Sequence, residues 1–166
     1  MSPEKVLIFD AGPLITLTMN GLEYILEKLK QKSNTRFIIT TQVKREVIDR
    51  PLEIKRFELS ALKIQTLLDR GIIEMPNSLG INFNEIENET KNVMHISNST
   101  FFDSGRAIHI IDYGEASILA LSKMLSAKGV KNAIAVDERT TRVLGEKPEN
   151  LKKIFEQKLH KTIKEN

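Results

Sequence analysis

Short apolar runs alternate with longer amphipathic stretches along this chain. Val6-Leu7-Ile8-Phe9 stops at Asp10-Ala11-Gly12-Pro13, and a run of that length before a Gly-Pro break reads as a strand buried on both faces. Pro13 suits the first turn of a helix, where no N–H is needed. Asn20 followed by Glu23 has the form of a capping box and predicts a helix with Leu22, Ile25, Leu26 and Leu29 on one face. Phe37-Ile38-Ile39 reads as a second strand, with Thr40 or Thr41 capping the helix after it. Pro51 is expected to open a longer helix, with apolar positions at 54, 57, 61, 64 and 68 and Gly71 closing it. Ile72 to Pro76 reads as a third, weaker strand.

Residues 77–105 are less regular and rich in asparagine. Phe83, Ile86, Val93 and Met94 suggest one helix there, and Ser97 to Thr100 a loop before Phe101 and Phe102. From Asp112 to Lys128 the pattern is helical and apolar on two sides, which predicts a well-buried helix. Ala133-Ile134-Ala135-Val136 reads as a fourth strand, ending at Asp137. Pro148 is expected to start a last, basic amphipathic helix reaching about residue 164, with Leu151, Ile154, Phe155, Leu159 and Ile163 on one face. Strands alternating with helices predict an α/β fold with a mostly parallel central sheet and helices on both faces, in one domain over residues 1–166.

Composition narrows the setting. The chain has 166 residues, enough for a substantial core, with 40% hydrophobic and 28% charged residues, as in an ordinary globular protein. It has no cysteine, so disulfides and thiolate zinc sites are excluded. No apolar run approaches the ~20 residues of a membrane span, and the start MSPEKVLIFD lacks the form of a signal peptide. A cytoplasmic protein without membrane association is expected. The net charge of +3 sits in the C-terminal segment, where Lys147, Lys152, Lys153, Lys158, Lys161 and Lys164 face only Glu149, Glu156 and Glu165. Such a segment attracts phosphate backbones, or simply solvates the outer face of a last helix.

Candidate chemistry lies at the strand ends, because sites in parallel α/β sheets form at the carboxyl ends of strands. Asp10 follows the first strand and Asp137 the fourth. Asp112 and Glu115 lie three apart at the start of the buried helix, and Glu46 one turn into the helix after the second strand. Each has an ordinary alternative use. Asp10 could cap the helix near Pro13, Asp112 and Glu115 have the form of a capping box, Asp137 could cap the turn at Glu138, and Glu46 could favour a helix dipole. Their joint placement on one rim points instead to a site. Converging carboxylates repel, and a divalent cation removes that conflict. Oxygen ligands without cysteine or histidine favour Mg²⁺ or Mn²⁺, one ion or two, and the reaction class is phosphodiester hydrolysis. Arg139 and Arg142, three apart beyond Asp137, could hold a substrate phosphate or balance the acids. His95, His109 and His160 match no ligand spacing.

Four segments in order, FDAGPLITL, TTQVKREV, DYGEASILALS and IAVDERTTRVLGE, resemble the successive motifs of the PIN-domain nucleases, in the variant with Gly-Glu before the buried helix and Asp-Glu-Arg after the fourth strand. The matches span residues 6–146. The resemblance implies a three-layer α/β/α sandwich, an acidic Mg²⁺ or Mn²⁺ site and endonuclease cleavage of RNA. By position it implies Asp10, Glu46, Glu115 and Asp137 as catalytic metal-site acids, with Asp112 a neighbouring metal-site group. It also implies a homodimer and, as with the VapC toxins, a possible antitoxin partner or else a role in RNA processing. The chain departs from the family pattern at Ala11, Gly12 and Ala135, where Ser or Thr is common, and lacks a recognisable fifth strand. Those departures keep a second reading in view, a catalytically weak PIN domain that binds RNA or protein.

Overall fold

The computed structural model describes residues 5–165. In chain order the elements are β1 (Lys5–Phe9), α1 (Ala11–Met19), α2 (Tyr24–Lys32), β2 (Thr35–Ile38), α3 (Thr41–Lys44), α4 (Arg50–Leu52), α5 (Glu58–Asp69), β3 (Ile73–Glu74), α6 (Phe83–Asn98), β4 (Phe101–Asp103), β5 (Arg106–Ala107), α7 (Tyr113–Ala127), β6 (Lys131–Ala135), α8 (Arg139–Glu146), α9 (Leu151–Leu159) and β7 (Lys164–Glu165). This is an α/β fold. Four strands form one parallel sheet in the order β3-β2-β1-β6, flanked by helices. Ile8 of β1 lies beside Ile38 of β2 and Ile134 of β6. Val6, Ile8 and Phe9 are all buried, so β1 is covered on both faces as its uninterrupted apolar run requires. No helix among the described residues is long and apolar enough to cross a membrane.

The buried helix forms as its pattern dictates. Asp112 stands at the N-cap of α7, and Ala116, Ile118, Ala120, Leu121 and Leu125 are all buried. Thr40 caps α3, accepting the Val43 N–H at 3.2 Å.

Other elements differ from the sequence expectation, each for a physical reason. Asn20 does not open α2. It closes α1, its amide bonding back to the Thr16 carbonyl at 2.8 Å, and Glu23 takes the N-cap of α2. Pro51 does not open a long helix either. It lies near the end of a helical segment that begins at Thr41, and α5 starts only at Glu58. Proline cannot donate to the Val47 carbonyl and its ring crowds the preceding turn. The helix accommodates it by widening to π form over Arg45–Asp49, with the Arg50 N–H reaching back five residues to Arg45. Glu46 lies in this widened turn, a form that recurs at functional sites.

The C-terminal helix is shorter than expected. It ends at Leu159, where His160 adopts a left-handed conformation (φ 53°), so Ile163 is buried from beyond the helix rather than on its face. The chain then forms β7, which pairs antiparallel with β4 in a second sheet of order β5-β4-β7. The β4–β5 hairpin turns at Ser104-Gly105, both at positive φ, as the tightest hairpins require. Phe101, Ile111, Leu151, Phe155 and Ile163 form a second apolar cluster beneath this sheet. β6 is the edge of the main sheet, with Lys131 and Ala133 exposed, rather than a strand buried throughout.

The sheet's other edge carries a charge cluster. Glu74 of β3 accepts from Lys30 at 2.7 Å and from Arg36 at 2.5 Å. Burial opposes its ionisation, but hydrogen bonds from Arg36 and Lys30 prevail and bring its pKa from 4.5 down to about 2. A depressed carboxyl pKa stabilises the fold above the unfolded value, and that contribution is lost as pH falls from about 4.5 through 2. Glu74→Gln is therefore expected to cost about 1–3 kcal/mol at pH 7 and almost nothing near pH 2. Urea denaturation at the two pH values checks this; an equal cost at both would refute it.

Candidate active site

The carboxyl ends of β1, β2 and β6 deliver Asp10, Thr40 and Asp137 to one rim. The Asp10 N–H bonds the Ala135 carbonyl at 3.0 Å, carrying the β1–β6 pairing past the end of β1. Asp10 is only 8% exposed. It occupies the N-cap position of α1, yet its side chain accepts no capping hydrogen bond, so capping does not account for it. Burial raises its pKa from 3.8 to about 6, opposed by the Ala11 N–H and reinforced by the charges of Glu115, Glu46 and Asp137. These three are the acids expected from the sequence to share its site.

Each of the three is held differently. Glu115 accepts the Asp112 backbone N–H at 2.8 Å through one oxygen and the Thr141 hydroxyl through the other. Glu46 accepts from the Gln42 amide at 2.9 Å and lies over Gly114, where a Cβ would come within 2.9 Å of Glu46 Oε1. Asp137 lies against Gly12, where a Cβ would fall 2.6 Å from its Cγ, inside contact distance. Its alternative capping use falls away too, because Glu138 caps α8 by accepting the Thr141 N–H at 2.7 Å. Two glycines in the first turns of α1 and α7 thus let two carboxylates approach the helix backbones closely.

Asp112 stands apart from this group. Its side chain is 84% exposed and bonds His109 Nε2 at 2.8 Å. Arg139 and Arg142 are exposed on α8. Arg142 borders a cavity of about 660 Å³ lined also by Thr141, Val93, Leu119, Ile134 and Leu144. Among the described residues, no three His, Asp or Glu side chains are drawn together tightly enough, as they stand, to hold an ion. By donor type and charge, Asp10, Glu46, Glu115 and Asp137 suit a hard divalent cation.

Several supporting residues carried no expectation from sequence. Thr141 is 1% exposed and supplies a hydroxyl to Glu115 from α8, a different element from the positions where the chain lacks one. Thr40 Oγ1 and Ser117 Oγ lie 2.7 Å apart, and Ser117 donates to the Gly114 carbonyl at 2.6 Å, tying the end of β2 to the first turn of α7. The available signal was the place of Thr141 in the first turn of the helix that follows the strand-end Asp137. Comparison with family models, curated proteins and solved structures finds no match to this chain.

Proposed function

We propose that this chain is a Mg²⁺- or Mn²⁺-dependent endoribonuclease of PIN type, with Asp10, Glu46, Glu115 and Asp137 as its metal-site acids. The observation that carries the reading is Asp10: a buried strand-end carboxyl, free of any capping bond, whose principal charged neighbours are the three acids at the motif positions. Three like charges acting on a buried carboxyl are costly without a cation. The parallel sheet with flanking helices is compatible with the three-layer sandwich of such a domain.

A bound divalent ion would neutralise the acids and lower the pKa of the attacking water. The chain's own residues do the rest. Thr141 and the Asp112 N–H fix the Glu115 carboxylate, Gln42 orients Glu46, and Gly12 and Gly114 leave room for Asp137 and Glu46. Hydrolysis adds water across a P–O bond, leaving phosphate on one fragment and a hydroxyl on the other. Arg139 and Arg142 are the exposed cations on α8 available to the RNA backbone. A protein partner, whether a second copy or an inhibitor of antitoxin type, would cover the exposed apolar side chains of α1 and α5, among them Met19, Leu59 and Leu62.

The test is cleavage of labelled RNA oligonucleotides with Mn²⁺ or Mg²⁺, with and without chelator, by the wild type and by Asp10→Asn. Metal-dependent cleavage lost in the variant is expected; equal cleavage by both would sink the reading. Thr141→Val is expected to lower kcat or Mn²⁺ affinity roughly 10–100-fold, the usual cost of losing a hydrogen-bonding partner of a metal-site acid. Thr141→Ser should restore most of it, and a failure to do so would show that the hydroxyl is not the operative group.

A further inference from the structure

A second concavity of about 480 Å³ opens between the first turn of α3 and the starts of α6 and α7. It shares a wall with the acid cluster. Gln42 lines it and donates to Glu46, and Ser117 lines it and bonds the carbonyl of Gly114, over which Glu46 lies. Two aromatic rings, Phe83 and Tyr113, border the same space, with Arg45 at its rim. Phe83 is 42% exposed, a poor use of an apolar ring if its only task is packing. Among the described residues neither ring is paired with another ring, and Arg45 takes part in no described ion pair. The cavity's own acid, Glu87, is balanced by Lys91 at 2.8 Å.

We propose that this concavity receives the unpaired nucleobase flanking the phosphate held at the acid cluster, with Phe83 and Tyr113 as its stacking surfaces. The inference rests on the nuclease reading above and deepens it. Flat rings bind the face of any base, and the side chains of Gln42 and Thr41, neither of them buried, can meet its edge. Arg45 meets the next phosphate along the strand. The ligand is single-stranded, because only an unpaired base can turn its face into a concavity. Placement beside Glu46 makes the bound base a neighbour of the scissile bond, so the cavity selects which phosphate is presented to the acids.

The experiment titrates fluorescein-labelled unpaired RNA octamers, and DNA octamers of the same sequence, into protein carrying Asp10→Asn, which keeps them uncut. Phe83→Ala and Tyr113→Ala are each expected to weaken binding about 5–100-fold, the range for one lost stacking partner, with thermal midpoints unchanged. Phe83→Tyr and Tyr113→Phe should retain binding. An octamer with an abasic residue at one position should lose the same factor and then be indifferent to Phe83→Ala. With Asp10 intact, Phe83→Ala should raise KM more than it lowers kcat. A loss confined to RNA would assign the cavity to ribose and overturn the proposal. Asp10-dependent cleavage with unchanged binding by the ring variants would overturn the subsite alone. If the wild type neither binds nor cuts any octamer, the nuclease reading fails and the subsite with it.

Discussion

Replacing Asp10 with asparagine is expected to stabilise the metal-free protein at neutral pH while abolishing cleavage. The sign follows from the carboxyl's raised pKa. Below about pH 3.8 Asp10 is protonated in both folded and unfolded chains and contributes no difference. As pH rises from 3.8 to about 6 the unfolded chain releases this proton and the folded protein keeps it, so stability falls across that interval. Above pH 6 the folded protein carries a buried charge among three others, at a cost of up to about 3 kcal/mol. Asparagine keeps the shape and removes the charge. Its amide will not match every contact, so a gain of about 1–3 kcal/mol at pH 7.5 is expected, or several degrees in thermal midpoint for a chain of this length. The gain should vanish near pH 4. Adding Mn²⁺ should raise the midpoint of the wild type and not that of the variant, because on the proposed reading all four acids are needed to hold the ion. A variant no more stable than the wild type at pH 7.5 would show that Asp10 is not where the fold holds its costly charge.

The second large effect is expected at Gly12. Gly12 is helical rather than left-handed, so an alanine fits its backbone, and Gly→Ala in a helix ordinarily gains about 0.5–1 kcal/mol. The obstacle is local. The new Cβ would overlap the carboxylate of Asp137, an exposed side chain that can swing aside at little cost to stability. Gly12→Ala is therefore expected to fold at least as stably as the wild type and to lose about 10²-fold or more in cleavage, the scale of penalty for an ångström's misplacement of a reacting group. Gly12→Ser restores a hydroxyl where PIN domains often have one, yet it meets the same obstacle and should impair activity too. Full activity in either variant would refute the role assigned to the close approach of Asp137. Gly114→Ala is a milder version, since Glu46 needs to yield only a few tenths of an ångström.

These two variants bear on what the departures from the family pattern mean. From sequence, Gly12 is a missing hydroxyl and a sign of a weakened site. In the folded chain it is the space that Asp137 occupies, and a hydroxyl for Glu115 comes from Thr141 on α8. On the proposed reading, hydroxyl support reaches the acids from Thr141 rather than from the positions after Asp10.

What the sequence by itself determined about this protein is what depends on near neighbours in the chain. Val6 to Phe9 form β1 and Asp112 to Lys128 bound α7, because apolar period and capping residues act over a few positions. The strand-end placement of Asp10 and Asp137 follows from the same local rule. Tertiary structure decided what distant segments must settle between them. Asn20 could cap α2 or close α1, and the chain took the second. Pro51 could open a helix or widen one, and the helix begun at Thr41 was already under way. β7 exists only because β4 offers it an edge, more than sixty residues away. The arrangement of the site belongs to the same class. Asp112 caps a helix and faces His109, while Glu115, three residues on, turns toward Asp10 and Thr141. Local spacing treats both acids alike, and only packing of α8 and β1 against the start of α7 separates them.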